Sequence, residues 1–116
     1  MADLNIEIKT NEINSGVCLI ILSGFLDAHT FSKFEDQLRN LMKDNKYNVV
    51  VQMKNLDYIS SAGLGVFMSV IGEIRQKGGD IKLSNLNSKV YKVFDLLGFT
   101  KLFQIFPNEE EALKAF

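Results

Sequence analysis

Hydrophobic positions along the chain change period several times, and each change marks an element. Leu4-Asn5-Ile6-Glu7-Ile8-Lys9 alternates apolar and polar residues with period two, the pattern of a half-exposed edge strand. Thr10 to Gly16 is polar and reads as a turn. Val17 to Leu22 is nearly continuous aliphatic and closes at Ser23-Gly24, as expected for an interior strand covered on both faces. From Phe31 onwards Phe31, Phe34, Leu38, Leu41 and Met42 recur on one helical face, which predicts a helix from about Thr30 to Asp44.

Tyr47 to Met53 is a second β-branched run and predicts a strand. After a polar loop, Leu64, Phe67, Met68, Ile71 and Ile74 return to helical spacing until Gly78-Gly79 ends the helix. Asp80 to Leu83 is a short strand. Val90, Val93, Phe94 and Leu97 mark a third helix stopped by Gly98, and Leu102 to Phe106 predicts a last strand. Pro107-Asn108-Glu109-Glu110-Glu111 opens a terminal helix, with Asn108 as cap and Glu111 three residues on.

Strands alternating with helices imply right-handed crossovers and an α/β architecture. The expected sheet is mainly parallel and four-stranded, with an added N-terminal strand and about four helices. Loops leaving the carboxyl ends of parallel strands share one edge, where ligands usually bind. Asp27-Ala28-His29-Thr30, Leu56 to Gly65 and Asn85-Leu86-Asn87 are therefore expected to be neighbours.

Composition narrows the picture. The 116 residues are the size of one ordinary domain, and 47% apolar with 23% charged residues is the balance of a folded protein. A formal charge of −1 and the lack of a dense Lys/Arg stretch argue against nucleic acid. The single cysteine, Cys18, sits in an aliphatic run and cannot form an internal disulfide, which suits a reducing cytoplasm. Met1-Ala2-Asp3-Leu4-Asn5 has neither the basic head nor the apolar run of a signal peptide, and no apolar segment approaches the ~20 residues that span a bilayer. No membrane insertion is expected.

The stretch Asn55 to Gly65 carries the chemistry. Ser60 and Ser61 fall at a helix start, where a serine can cap the helix and an anion would meet unpaired N–H groups and the positive end of the dipole. For Ser61, a plain cap and a phosphorylation site stand level. Gly63 and Gly65 each weaken a helix by roughly 1 kcal/mol relative to alanine. Either they let another chain or a phosphate approach the backbone, or they let the helix pack tightly on its own sheet. A phosphate-binding P-loop is a poor match, because no Gly-Lys-Ser/Thr is present.

Ile59-Ser60-Ser61-Ala62-Gly63-Leu64-Gly65, preceded by Gly24-Phe25-Leu26-Asp27, resembles the STAS domain of bacterial anti-sigma factor antagonists, over essentially the whole chain, 1–116. The family motif Asp-Ser-(Ser/Thr/Ala)-Gly-Leu-Gly carries a phosphoacceptor as its first serine. Aligned on Gly63-Leu64-Gly65, that residue is Ser61, while the preceding aspartate is Ser60 here, which makes Ser60 a second candidate acceptor. The resemblance implies partner switching. The unphosphorylated protein binds an anti-sigma factor that is also a serine kinase and thereby frees a sigma factor for transcription, phosphorylation switches that binding off, and a PP2C-type phosphatase restores the binding form. It also implies that Asp27 orients Ser61 or meets the kinase. Asp27, Tyr58, Ser60, Ser61, Gly63 and Gly65 form the expected partner surface, extended by Ser69, Gly72 and Glu73.

Other chemistries fit less well. His29 and the distant Cys18 make no metal-ligand set, and no cofactor is implied. Ser61, His29 and Asp27 lack a Gly-x-Ser-x-Gly elbow, so no catalysis is expected in this chain. Phe99, Phe103 and Phe106 are expected in the core, since no basic groove surrounds them for base stacking. Glu109-Glu110-Glu111 reads as dipole-favourable charge at a helix start. The competing readings are a non-switching STAS subunit of a lipid-transport or signalling-scaffold complex, and a small enzyme or nucleotide binder at the same edge.

Overall fold

The structure, a computed structural model, describes residues 3–116. Met1 and Ala2, part of the N-terminal segment read against a signal peptide, lie outside the described residues. Five strands form one sheet in the order β1 (Leu4–Lys9), β2 (Cys18–Leu26), β3 (Asn48–Ile59), β4 (Asp80–Ser84) and β5 (Ile105–Phe106). β1 is antiparallel to β2, and every other pairing is parallel. This is the expected four-stranded parallel sheet with an added N-terminal strand.

The crossovers contain α1 (Phe31–Lys43), α2 (Ser61–Gln76) and α3 (Ser88–Leu96). Strands that follow one another in spatial order, joined by right-handed crossovers, receive all three helices on one face. Their buried residues accordingly share one cluster with Leu22, Val51 and Leu83 of the sheet. The opposite face is covered by α4 (Glu109–Lys114), which packs Ala112 and Leu113 on Leu19 and Val50, with Phe116 against the same cluster. Asn108 Oδ1 caps α4 by accepting from Glu111 N–H at 2.9 Å, while Glu111 Oε2 turns back to the Asn108 side-chain amide, not to its backbone N–H.

Several sequence expectations need correction. The polar segment after Met53 is a strand, because β2 itself continues through Ser23-Gly24 to Leu26 and pairs with it as far as Ile59. Met53, Leu56 and Ile59 are all buried at a spacing of three, which a regular strand cannot place on one face. Two register shifts in the β2–β3 pairing absorb the extra residues.

The expected Leu102–Phe106 strand shrinks to Ile105–Phe106. A short 3-10 turn at Phe99–Lys101 brings Phe99 and Phe103 beside Phe94 and Phe67, a burial that an extended chain would forfeit. Met68, read as core, is 47% exposed, and Val66 and Val70 are buried on α2 instead. Leu97 is 53% exposed because α3 has ended and left-handed Gly98, φ +79°, turns the chain away. Phe31, at the first turn of α1, is also exposed.

Candidate functional site

The three predicted loops do meet at the carboxyl edge. Ser60 N–H donates to the Leu26 carbonyl at 2.9 Å, linking the end of β2 to the start of α2. Asn87 Nδ2 donates to the Leu56 carbonyl at 2.7 Å, linking the β4–α3 loop to β3.

The two serines are held differently. Ser60 is the N-cap of α2, with extended backbone, and its Oγ accepts from Gly63 N–H at 3.4 Å. Its carbonyl accepts the first helical bond, from Leu64 N–H at 3.0 Å. The capping role considered for Ser61 therefore belongs to Ser60, because the chain leaves β3 one residue earlier than that reading required. Ser61 is the first helical residue and is exposed, and its hydroxyl takes part in no hydrogen bond among the described residues. The first turn of α2 contains no acidic residue, so the partial positive charge of its N-terminus is left unneutralised by the helix itself.

Gly63 and Gly65 also part company. A Cβ at Gly63 would lie 2.7 Å from Leu26 Cγ and 2.8 Å from the Leu26 carbonyl oxygen, so this glycine is required by packing of α2 on β2. It does not open the surface to a partner. A Cβ at Gly65 would meet nothing within 4 Å. Ser61, Gly65, Met68, Ser69, Gly72 and Glu73 recur at helical spacing as one exposed face of α2. Sequence reasoning missed Met68, whose placement four residues before Gly72 and seven after Ser61 carried the signal.

Among the described residues Asp27 makes no hydrogen bond to Ser61. Its Oδ1 accepts from His29 N–H at 2.9 Å and Thr30 N–H at 3.2 Å, while the buried Thr30 hydroxyl donates to the Phe25 carbonyl at 2.7 Å. The carboxylate thus builds the entry to α1. His29 is exposed beside it. Tyr58 is 49% exposed and lies against Phe25, ring centroids 6.0 Å apart, giving the edge an amphipathic aromatic. At the far side of this edge, Asp3 accepts from Leu4 N–H and Lys33, which hold its carboxyl below the usual carboxylate range.

Near the serines a hollow of about 90 Å³ lies between Asp57, Tyr58, Ile59, Lys89, Val90 and Val93. A larger surface hollow, about 740 Å³, runs along β5 and includes none of the edge residues. Among the described residues no three His, Cys, Asp or Glu side chains gather as a metal site, and no helix is long and apolar enough to cross a membrane.

The candidate site is thus the carboxyl edge of an α/β sheet, with an exposed serine, a helix N-terminus and a partly apolar helix face. The chain belongs to the STAS domain family, which residues 9–112 match. It is 33% identical over 111 residues to the anti-sigma F factor antagonist of Paenibacillus polymyxa, covering 95% of this chain and 94% of that one. The crystal structure of an anti-sigma factor antagonist from Mycobacterium paratuberculosis superposes with a TM-score of 0.85 at 19% identity, covering 97% and 92% of the two chains. The phosphorylated form of the Bacillus cell fate determinant SpoIIAA has the same fold, with a TM-score of 0.73 at 18% identity, covering 97% of this chain and all of that one.

Proposed function

We propose that this chain is an anti-sigma factor antagonist that acts by binding and carries no catalysis of its own. In its unphosphorylated form it docks an anti-sigma factor that is also a serine kinase, through Tyr58, Ser61, Gly65 and the exposed face of α2 with Met68, Ser69, Gly72 and Glu73. Asp27 borders that surface. Phosphorylation of Ser61 ends the complex, and a PP2C-type phosphatase restores it. Such a cycle runs in the cytoplasm.

The observation that carries this reading is the contrast between the two serines. Ser60, half-buried, has its N–H, carbonyl and hydroxyl all engaged, whereas Ser61 offers a free hydroxyl to solvent. The names of the relatives agree with it. A phosphate on Ser61 adds about −1.5 to −2 charges beside the α2 N-terminus, which favours them within the free protein. In a docked complex the same charge must be desolvated against a partner. The modified state is thus stable and unable to bind.

Peptide mass spectrometry of the chain recovered from its native cells tests the proposal, alongside a Ser61→Ala variant compared for co-purification with an anti-sigma kinase. Phosphoserine at position 61, abolished by the substitution, is the expected result. An unmodified Ser61 under every growth condition, with partners retained, would overturn the switch in favour of a constitutive scaffold subunit.

A further inference from the structure

The last pairing of β3 with β4 is Gln52 beside Ser84, so from Met53 to Ile59 β3 has a strand neighbour on the β2 side only. The register shifts along this overhang leave its pairing interrupted on that side as well. Leu56, in its middle, is fully buried, and a buried backbone carbonyl needs a donor. Asn87 supplies one. Its Nδ2 reaches the Leu56 carbonyl at 2.7 Å across a sequence separation of 31 residues. Its Oδ1 meanwhile accepts from Val90 N–H at 3.0 Å and caps α3.

We infer that Asn87 is a positioning residue for the Ser61 edge: its amide stands in for the missing strand beside the β3 overhang and ties the ledge bearing Tyr58, Ser60 and Ser61 to α3. The functional sense of this rests on the proposed Ser61 switch, but the tie itself does not. Two separate polar atoms are needed, Oδ1 to accept from Val90 N–H and Nδ2 to donate to the Leu56 carbonyl: ionised aspartate has no donor, and serine has a single, shorter hydroxyl that serves the cap. Aspartate would instead set a carboxylate oxygen against that carbonyl. Held by the amide, the ledge presents Ser61 in one position to a partner; without it, the turn between β3 and α2 opens locally while α3 stays capped.

The test is hydrogen–deuterium exchange on the full chain carrying Asn87→Asp, with Asn87→Ser as a second variant that keeps a capping oxygen. In either, amides of Asp57 to Gly63 are expected to exchange about tenfold faster, the consequence of orphaning one buried acceptor, while α3 amides keep their wild-type protection. Unchanged exchange on the ledge, or equal loosening of α3 and ledge, would reduce Asn87 to an ordinary helix cap. The measurement needs no kinase, so its failure is distinct from an absence of phosphoserine, which the wild-type chain alone reports.

Discussion

A methyl group added at either glycine of the α2 start separates packing from docking. Gly63→Ala forces its Cβ against Leu26 and Ile59, and overpacking of this kind costs about 1–3 kcal/mol. Gly65→Ala, in open space, should raise stability by about 0.5–1 kcal/mol through helix propensity. Urea denaturation of the two variants checks both signs. If Gly65 clears the way for a partner, Gly65→Ala also weakens antagonist binding despite the more stable fold. The paired glycines were legible in the sequence as an anomaly. Their division of labour was not, because it depends on how near the end of β2 lies to the helix axis.

For α2 as an element, the decisive residue is its cap. Ser60→Ala removes the acceptor for Gly63 N–H and should cost about 1 kcal/mol, read as a lower urea midpoint with unchanged slope. Ser60→Asp keeps an acceptor and adds dipole-favourable charge, so it should restore or exceed wild-type stability by about 0.3–1 kcal/mol. Wild-type α2 begins without that charge. At Ser61 a phosphate would then be the first anion the N-terminus meets. The Asp27 loop shows how an element boundary can be misread: the residue was legible as lying near the site, yet its Oδ1 serves the backbone of His29 and Thr30 and not the neighbouring serine.

At the scale of the whole molecule, three crossover helices on one face converge on Phe67, which is fully buried with Phe34, Phe94 and Phe103 edge-on at 5.3 to 5.8 Å. Phe67→Ala empties the junction of α1, α2, α3 and the segment before β5. A loss of about 3–5 kcal/mol is expected, a large share of the total stability of a domain this size, visible as a strongly lowered thermal midpoint. The alternation of strand and helix, the shared edge of the three loops and the uneven faces of the helices all follow from hydrophobic period and connection handedness, which are local or topological properties. For that reason the sequence by itself determined the α/β fold and the meeting of the three loops at one edge, with two serines there. Only the tertiary structure decided which serine caps and which is free, that Gly63 packs while Gly65 faces open space, that Met68 looks outward, and that Asn87 braces β3. Each of these depends on atoms far away in the chain: the Leu26 carbonyl, the neighbouring β2 and the Leu56 carbonyl on the β3 overhang. Their distances exist only once the sheet has formed.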